Sequence, residues 1–221
     1  MRKARTTDTR VALVGAGSFG DSPLAGVGGL AERLGPVKAP SLRVASRIAN
    51  NLRAGRAVPD YQEFEACPVV LISVPDKMSE AIIGEMALSG LDWTGKVIVL
   101  CSNRLGVTEL HPLGQLGAVT GSLAVVPGFE SHWYLLEGDK PVERQIRPML
   151  AHHGVRVTIV AAGEKSRCVS ALASMGSEFV PLLKTAADSL KTAGLENTEA
   201  AAILEKQLRR TLRSYFRSGK L

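Results

Sequence analysis

Gly15, Gly17 and Gly20 stand in GxGxxG spacing directly behind Val11 to Val14, a short run of strand-forming residues. That order suits a dinucleotide. Gly15 permits a tight strand-to-helix turn, Gly17 leaves room for a pyrophosphate to approach the backbone, and Gly20 lets the next helix pack close to the sheet. Free amides at the helix start would meet the phosphates. Further polar groups follow later apolar runs: Val74-Pro75-Asp76, Ser102-Asn103 and His111. Ligands of open parallel sheets bind beyond the carboxyl ends of the strands, so Asp76 is expected to border a nicotinamide, unless Pro75 and Asp76 merely cap a helix. An imidazole in the place of His111 can act as an acid or stack on a ring, whereas a loop histidine bonded to backbone does neither. Lys165 opens the last helical stretch, where it either faces a substrate or caps the entry to that stretch.

Other chemistries fit poorly. No histidine pair has HExxH or another ligand spacing, so no metal site is expected. Cys101 lies beside Ser102 but ends a buried apolar run without a GxSxG elbow, which places it in the core. Cys67, Cys101 and Cys168 are odd in number and far apart, as in a reducing compartment, and the expected location is cytoplasmic. The N-terminus has no signal-like apolar core, and no apolar run approaches the roughly 20 residues that cross a bilayer. A net charge of +6 on 221 residues is modest and gathers near the two ends, so neither nucleic acid nor membrane is an expected partner. The basic KQLRRTLRSYFR segment is read as the charged outer face of a packed helix.

With 45% hydrophobic and 22% charged residues, the chain has the composition of a globular protein with a sizeable core. After the glycine turn, Pro23 to Leu34 has helical spacing, stopped by Gly35-Pro36. Two readings of the next stretch stay open. In one, Leu42 to Ala45 is the second strand, and Ser46-Arg47 at its end receive a 2′-phosphate. In the other, Val37 to Ala39 is a very short second strand, and Ser41 caps a helix whose buried stripe is Leu42, Ala45, Ile48, Ala49 and Leu52. The second accounts for more residues, moves Lys38 and Arg43 toward the cofactor edge, and leaves Arg47 as a surface cation. Neither reading supplies the acidic residue that would select NAD.

Val58 ends a brief third strand, Tyr61 to Ala66 forms a short helix, and Val69 to Pro75 is the clearest buried parallel strand. A helix follows over Ser79 to Leu88, then strands over Val97 to Cys101, Val119 to Val126 and Trp133 to Leu136. A helix over Glu143 to His153 and a strand over Val155 to Val160 close the alternating part. From about Gly163 to Tyr215 the pattern is helical, the final helix beginning at Thr198. The expected fold is thus α/β, a Rossmann-like doubly wound, mostly parallel sheet over residues 1–161, followed by a small all-helical domain over residues 162–221. So small a helical unit holds little core alone and should pack on the sheet domain or on a partner subunit.

The glycine turn, VPD, SN, HPL at His111 to Leu113, and the late EK…SALASMGSEF stretch together resemble Rossmann-like proteins with a DUF2520 C-terminal domain. These are relatives of pyrroline-5-carboxylate reductases and of the 6-phosphogluconate dehydrogenase superfamily. The resemblance implies an NADP-type domain, with NAD possible, and a helical domain that pairs subunits into a homodimer. Gly15, Gly17, Ser18, Phe19 and Gly20 match its phosphate loop, Val74, Pro75 and Asp76 its nicotinamide turn, and Ser102 and Asn103 its next serine-containing turn. Lys165 and Ser177 fall where that group carries a cleft lysine and the serine of an SN pair. Glu178 stands where the group has Asn, and in related dehydrogenases a lysine and an asparagine at such places orient and protonate the substrate carbonyl. The sequence also ends where relatives continue into further helix, as a shortened domain or a fragment would.

These observations imply an NAD(P)-binding oxidoreductase that passes hydride between NADP(H) and a small imine or carbonyl substrate. Lys38, Arg43 and Arg47 are candidates for the 2′-phosphate, and Lys165, His111 and Ser102 for the reacting end. The rival is a non-catalytic dinucleotide-sensing or interaction protein on the same fold, suggested by Glu178 and the short tail.

Overall fold

The computed structural model describes residues 10–16, 24, 29–128, 133–150 and 155–219. Eight strands form one sheet: β1 (Val11–Gly15), β2 (Leu34–Lys38), β3 (Arg56–Ala57), β4 (Val69–Ser73), β5 (Val97–Cys101), β6 (Val119–Val125), β7 (Trp133–Gly138) and β8 (Arg156–Val160). Their spatial order is β3-β2-β1-β4-β5-β6-β7-β8. All neighbours are parallel except β6 and β7, which are antiparallel, so β8 runs with β7 and against the first six strands. β1, β4 and β5 are buried at every residue, as central strands covered on both faces must be.

One face of the sheet is covered by α1 (Leu42–Leu52) and α4 (Lys140–Leu150). There Ala45, Ile48, Val142 and Ile146 meet Leu13, Val37, Leu71 and Leu136. The other face is covered by α2 (Asp76–Ala87), α3 (His111–Gln115) and two 3-10 turns at Tyr61–Phe64 and Val107–Leu110. A smaller cluster joins Ala124, Val126, Leu135 and Val169, the last from α5 (Lys165–Thr192). Each fully buried Leu, Val or Ile contributes about 1.5–3 kcal/mol to this core. A single register row crosses the sheet: Lys38, Val14, Ile72, Leu100, Ser122, Glu137 and Val160 lie side by side.

The chain divides into two compact units, through Ser170 and from Ala171 onward. The second contains the rest of α5, a turn with Gly194 in the left-handed region, and α6 (Asn197–Arg217), which starts with a Glu196–Glu199 capping box. Within this unit Val180, Leu183, Ala187, Ala201, Leu204 and Leu208 line an apolar groove. Met175, Phe179, Val180, Leu182 and Phe216 are exposed.

Of the two readings around residue 40, the helical one is observed: Ser41 Oγ accepts from Val44 N, and Ala45, Ile48 and Ala49 are buried. Leu42 departs from the expected stripe, being 53% exposed. Gly35-Pro36 does not stop a helix but lies inside β2, where Pro36 pairs only with the two-residue strand β3 and needs few ladder bonds. Residues 29–33 are turn, and most of the expected helix from Pro23 lies outside the described residues, as do Gly17, Ser18, Phe19 and Gly20. α2 begins three residues earlier than the pattern suggested, because Pro75 already has helix-entry geometry as its N-cap. His111 is not in a loop but is the first residue of α3, with Pro112 in the first turn.

Candidate functional site

The carboxyl ends of β1, β4 and β5 lie together at the centre of the sheet. Gly15 is level with Ser73, and Ala16 N donates to Ser73 O at 3.3 Å. A Cβ on Gly15 would stand 2.8 Å from Ile48 Cδ1, so a side chain there would have to displace the tip of Ile48 from its place on α1. From β4 the chain passes through buried Val74 and exposed Pro75 to Asp76, the first residue of α2. From β5 it passes to Ser102, whose Oγ donates to Asp76 Oδ1 at 2.8 Å and accepts from Arg104 N at 3.1 Å and Leu105 N at 3.0 Å. This joins the turns after β4 and β5 and uses up the serine hydroxyl. Asn103 Oδ1 accepts from Val125 N at 2.9 Å, tying the same turn to the end of β6. Arg104, with an 87% exposed side chain, sits 3.8 Å from Asp76 Oδ2.

Behind this turn two opposite charges are buried. Lys165 has no exposed surface, and its Nζ donates to Ser102 O at 2.5 Å and to Leu105 O at 2.6 Å. Burial pushes its ammonium down from 10.5 to about 8, against the pull of Glu137, Cys101 and Asp76. Glu137, equally buried, accepts from Val107 N at 3.0 Å and Ser122 Oγ at 2.5 Å through Oε2, and from Gly163 N through Oε1. Cys101 is in the core as expected, and burial raises its thiol to about 12, too high for a nucleophile near neutral pH.

The basic residues expected at the adenosine end are not brought together. Lys38 points to the face covered by α2, where its Nζ is 3.3 Å from Glu85 Oε1 and 5.0 Å from the centre of the Tyr61 ring. Burial, then the Glu85 charge, hold the Tyr61 phenol above its ordinary range. Arg43 and Arg47 are exposed on α1, which packs on the opposite face, and their spacing puts them on one side of that helix. His111 is exposed and, among the described residues, has no hydrogen bond to Asp76, Ser102 or Lys165. Ser177 and Glu178 lie in the second unit, exposed, with Ser177 Oγ donating to Ser174 O at 3.0 Å.

Sequence reasoning missed Glu137, Ser122 and Arg104. The strand was expected to stop at Leu136, one residue before the acid, because a carboxylate rarely closes a buried strand. The signal was its period: two-residue alternation places Glu137 on the face of Trp133 and Leu135, directly opposite the only hydroxyl of the buried part of β6.

No protein-family model matches the chain, and no curated protein is similar to it in sequence. Solved structures are. An imine reductase of Streptomyces aurantiacus shares 18% identity at a TM-score of 0.68, over 95% of this chain and 77% of that one. An imine reductase from Aspergillus terreus, solved with NADPH4 and dibenz[c,e]azepine, shares 15% identity at a TM-score of 0.71, over 96% and 76%. A pyrroline-5-carboxylate reductase from Coxiella burnetii shares 16% at 0.56, over 96% and 81%. The fold is therefore Rossmann-like, as in these reductases. Among its members, imine reductases provide several of the similar structures.

Proposed function

We propose that the chain binds a nicotinamide dinucleotide, NADP first and NAD second, along the carboxyl edge of its sheet and reduces a small imine or carbonyl substrate with it. The observation that carries this reading is the meeting of the β1, β4 and β5 turns at the carboxyl edge of the sheet, where Gly15 lies level with Ser73 and Ser102 is bonded to Asp76. A glycine closing the first central strand, next to polar turns at the carboxyl ends of parallel strands, fits a dinucleotide. The likeness to reductases solved with such cofactors supports the same choice.

In this reading Gly15, Gly17, Ser18, Phe19 and Gly20 hold the pyrophosphate, and Val74, Pro75, Asp76, Ser102 and Asn103 border the nicotinamide. Arg43 and Arg47 are the freer cations for a 2′-phosphate, since Lys38 is engaged with Glu85 and Tyr61. A bound reduced nicotinamide supplies the hydride, and the chain orients the substrate and excludes water. Lys165, His111 and Ser102 are the candidate proton carriers. Lys165 must release a carbonyl to act, and Ser102 can pass a proton only along its bond to Asp76.

Those last two bonds favour a second reading, a dinucleotide-binding protein without turnover, because neither group is free. The finer expectations belong here too: likeness to the DUF2520 group, a cytoplasmic location, a nucleotide-binding part over residues 1–161, and a homodimer formed through the helices of residues 162–221. Exposed Met175, Phe179, Val180 and Leu182 support the homodimer. Among the described residues, no helix is long and apolar enough to cross a membrane.

Calorimetric titration with NADPH and with NADH tests binding. Tighter binding of NADPH is expected, and no heat from either at millimolar concentration refutes both readings. Where NADPH binds, loss of its absorbance with a panel of imines and 2-oxo acids is the expected sign of reduction, and silence across the panel selects the non-catalytic reading.

A further inference from the structure

The turn over residues 102–107 and the segment over residues 163–165 are stitched together by opposite charges. Lys165, on the second segment, donates to the Ser102 and Leu105 carbonyls of the first. Glu137, on β7, accepts from Val107 N–H of the first and Gly163 N–H of the second. Ser166 Oγ adds a bond to Arg104 O at 2.6 Å. The Ser102, Arg104 and Leu105 carbonyls and the Val107 amide of the turn are thus engaged, as are the Arg104 and Leu105 amides held by Ser102.

A buried ammonium bonded only to carbonyl dipoles needs a countercharge, and a buried carboxylate needs donors. Glu137 has three donors, from three different parts of the chain. Besides Glu137, the titratable groups that act on Lys165 are Cys101, whose thiol stays neutral to about 12, and Asp76, which is shared with Ser102 and Arg104. Glu137 is therefore the main buried countercharge.

We propose that Glu137 is a positioning residue: its carboxylate clamps Val107 and Gly163 and keeps Lys165 charged, and this holds the 102–107 turn in the shape that borders the cofactor edge. The clamp itself is independent of turnover; its use at a cofactor edge rests on the function proposed above.

The test is the titration of Lys165 in the full chain without cofactor, followed by NMR of carbon-labelled lysine side chains and assigned with Lys165→Met. In Glu137→Gln, Lys165 should titrate at least about one pH unit lower than in the wild type, because the countercharge is gone while the volume is kept. Ser122→Ala keeps the charge and should leave the titration near its wild-type position. A Lys165 titration that is the same in Glu137→Gln and wild type overturns the proposal, since a merely structural acid would change stability alone. In the wild type, the Val107 and Gly163 amides should exchange with solvent as slowly as strand amides, and exchange at open-loop rates overturns the clamp even where Glu137→Gln does not fold. Both readouts are taken without cofactor, so a wild type that binds no dinucleotide defeats the proposed function and not the clamp.

Discussion

At the scale of single residues, Lys165 makes stability depend on pH in an unusual direction. Between about 8 and 10.5 the unfolded chain holds a proton on this lysine that the folded chain has already released. Its contribution to stability therefore rises with pH through that window, and below it the folded state bears the penalty of a buried charge. Relative to Lys165→Met, the wild type should gain up to about 3 kcal/mol between neutral pH and pH about 10.5. Urea denaturation at the two ends of the window measures this, and a flat difference would mean that the ammonium is not held dry. Ser102 is the other residue whose removal should be felt. Ser102→Ala leaves the Arg104 and Leu105 amides without their acceptor and frees Asp76. A loss of about 1–3 kcal/mol is expected in the same assay, and a change within experimental error would show that the turn is held without the Ser102 hydroxyl.

At the scale of elements, the close approach of α4 to β6 depends on Gly121. A Cβ there would stand 2.6 Å from Val142 Cγ1 and 2.8 Å from the backbone oxygen of Glu137. The side chain can rotate but the backbone cannot, so Gly121→Ala should lose about 1–3 kcal/mol, with Val142→Ala in the same chain recovering part of it. Thermal denaturation of the single and double variants measures both effects. The central elements were readable because their physics is local. β4 and β5 are buried on both faces and read as unbroken apolar runs, and Ser41 marks the start of α1 with a cap bond three residues away. β2 was hidden by Gly35-Pro36, which signals a stop in a helix but is tolerated beside a two-residue edge strand. The site was readable only as a set of turns. Asp76 and Ser102 could each be named, but their bond spans 26 residues and that of Lys165 to Ser102 spans 63, so no spacing in the sequence announces either. Glu137 was lost because its three partners lie on three other segments.

At the scale of the whole molecule, the second unit has only most of α5 and the whole of α6 and exposes Met175 at 67%, Leu182 at 67% and Phe216 at 61%. Two helices of that kind bury too little apolar surface to be stable alone. Light scattering of the full chain should give twice the monomer mass, and Met175→Lys with Leu182→Lys should shift it toward the monomer; a wild type of monomer mass would refute the pairing. In the first unit, the row from Lys38 through Ser122 to Glu137 and Val160 has a consequence for folding itself. Sliding β7 by one residue along β6 would turn Glu137 onto the face of Val142 and Ile146 and bring Leu136 or Gly138 opposite Ser122. The carboxylate would then be stranded among hydrocarbon without its donors, an error far more expensive than a misplaced methyl group. A single acid near the end of an otherwise apolar strand thus acts as a proofreading mark, discarding misaligned sheets where the strand direction reverses and alignment is easiest to lose.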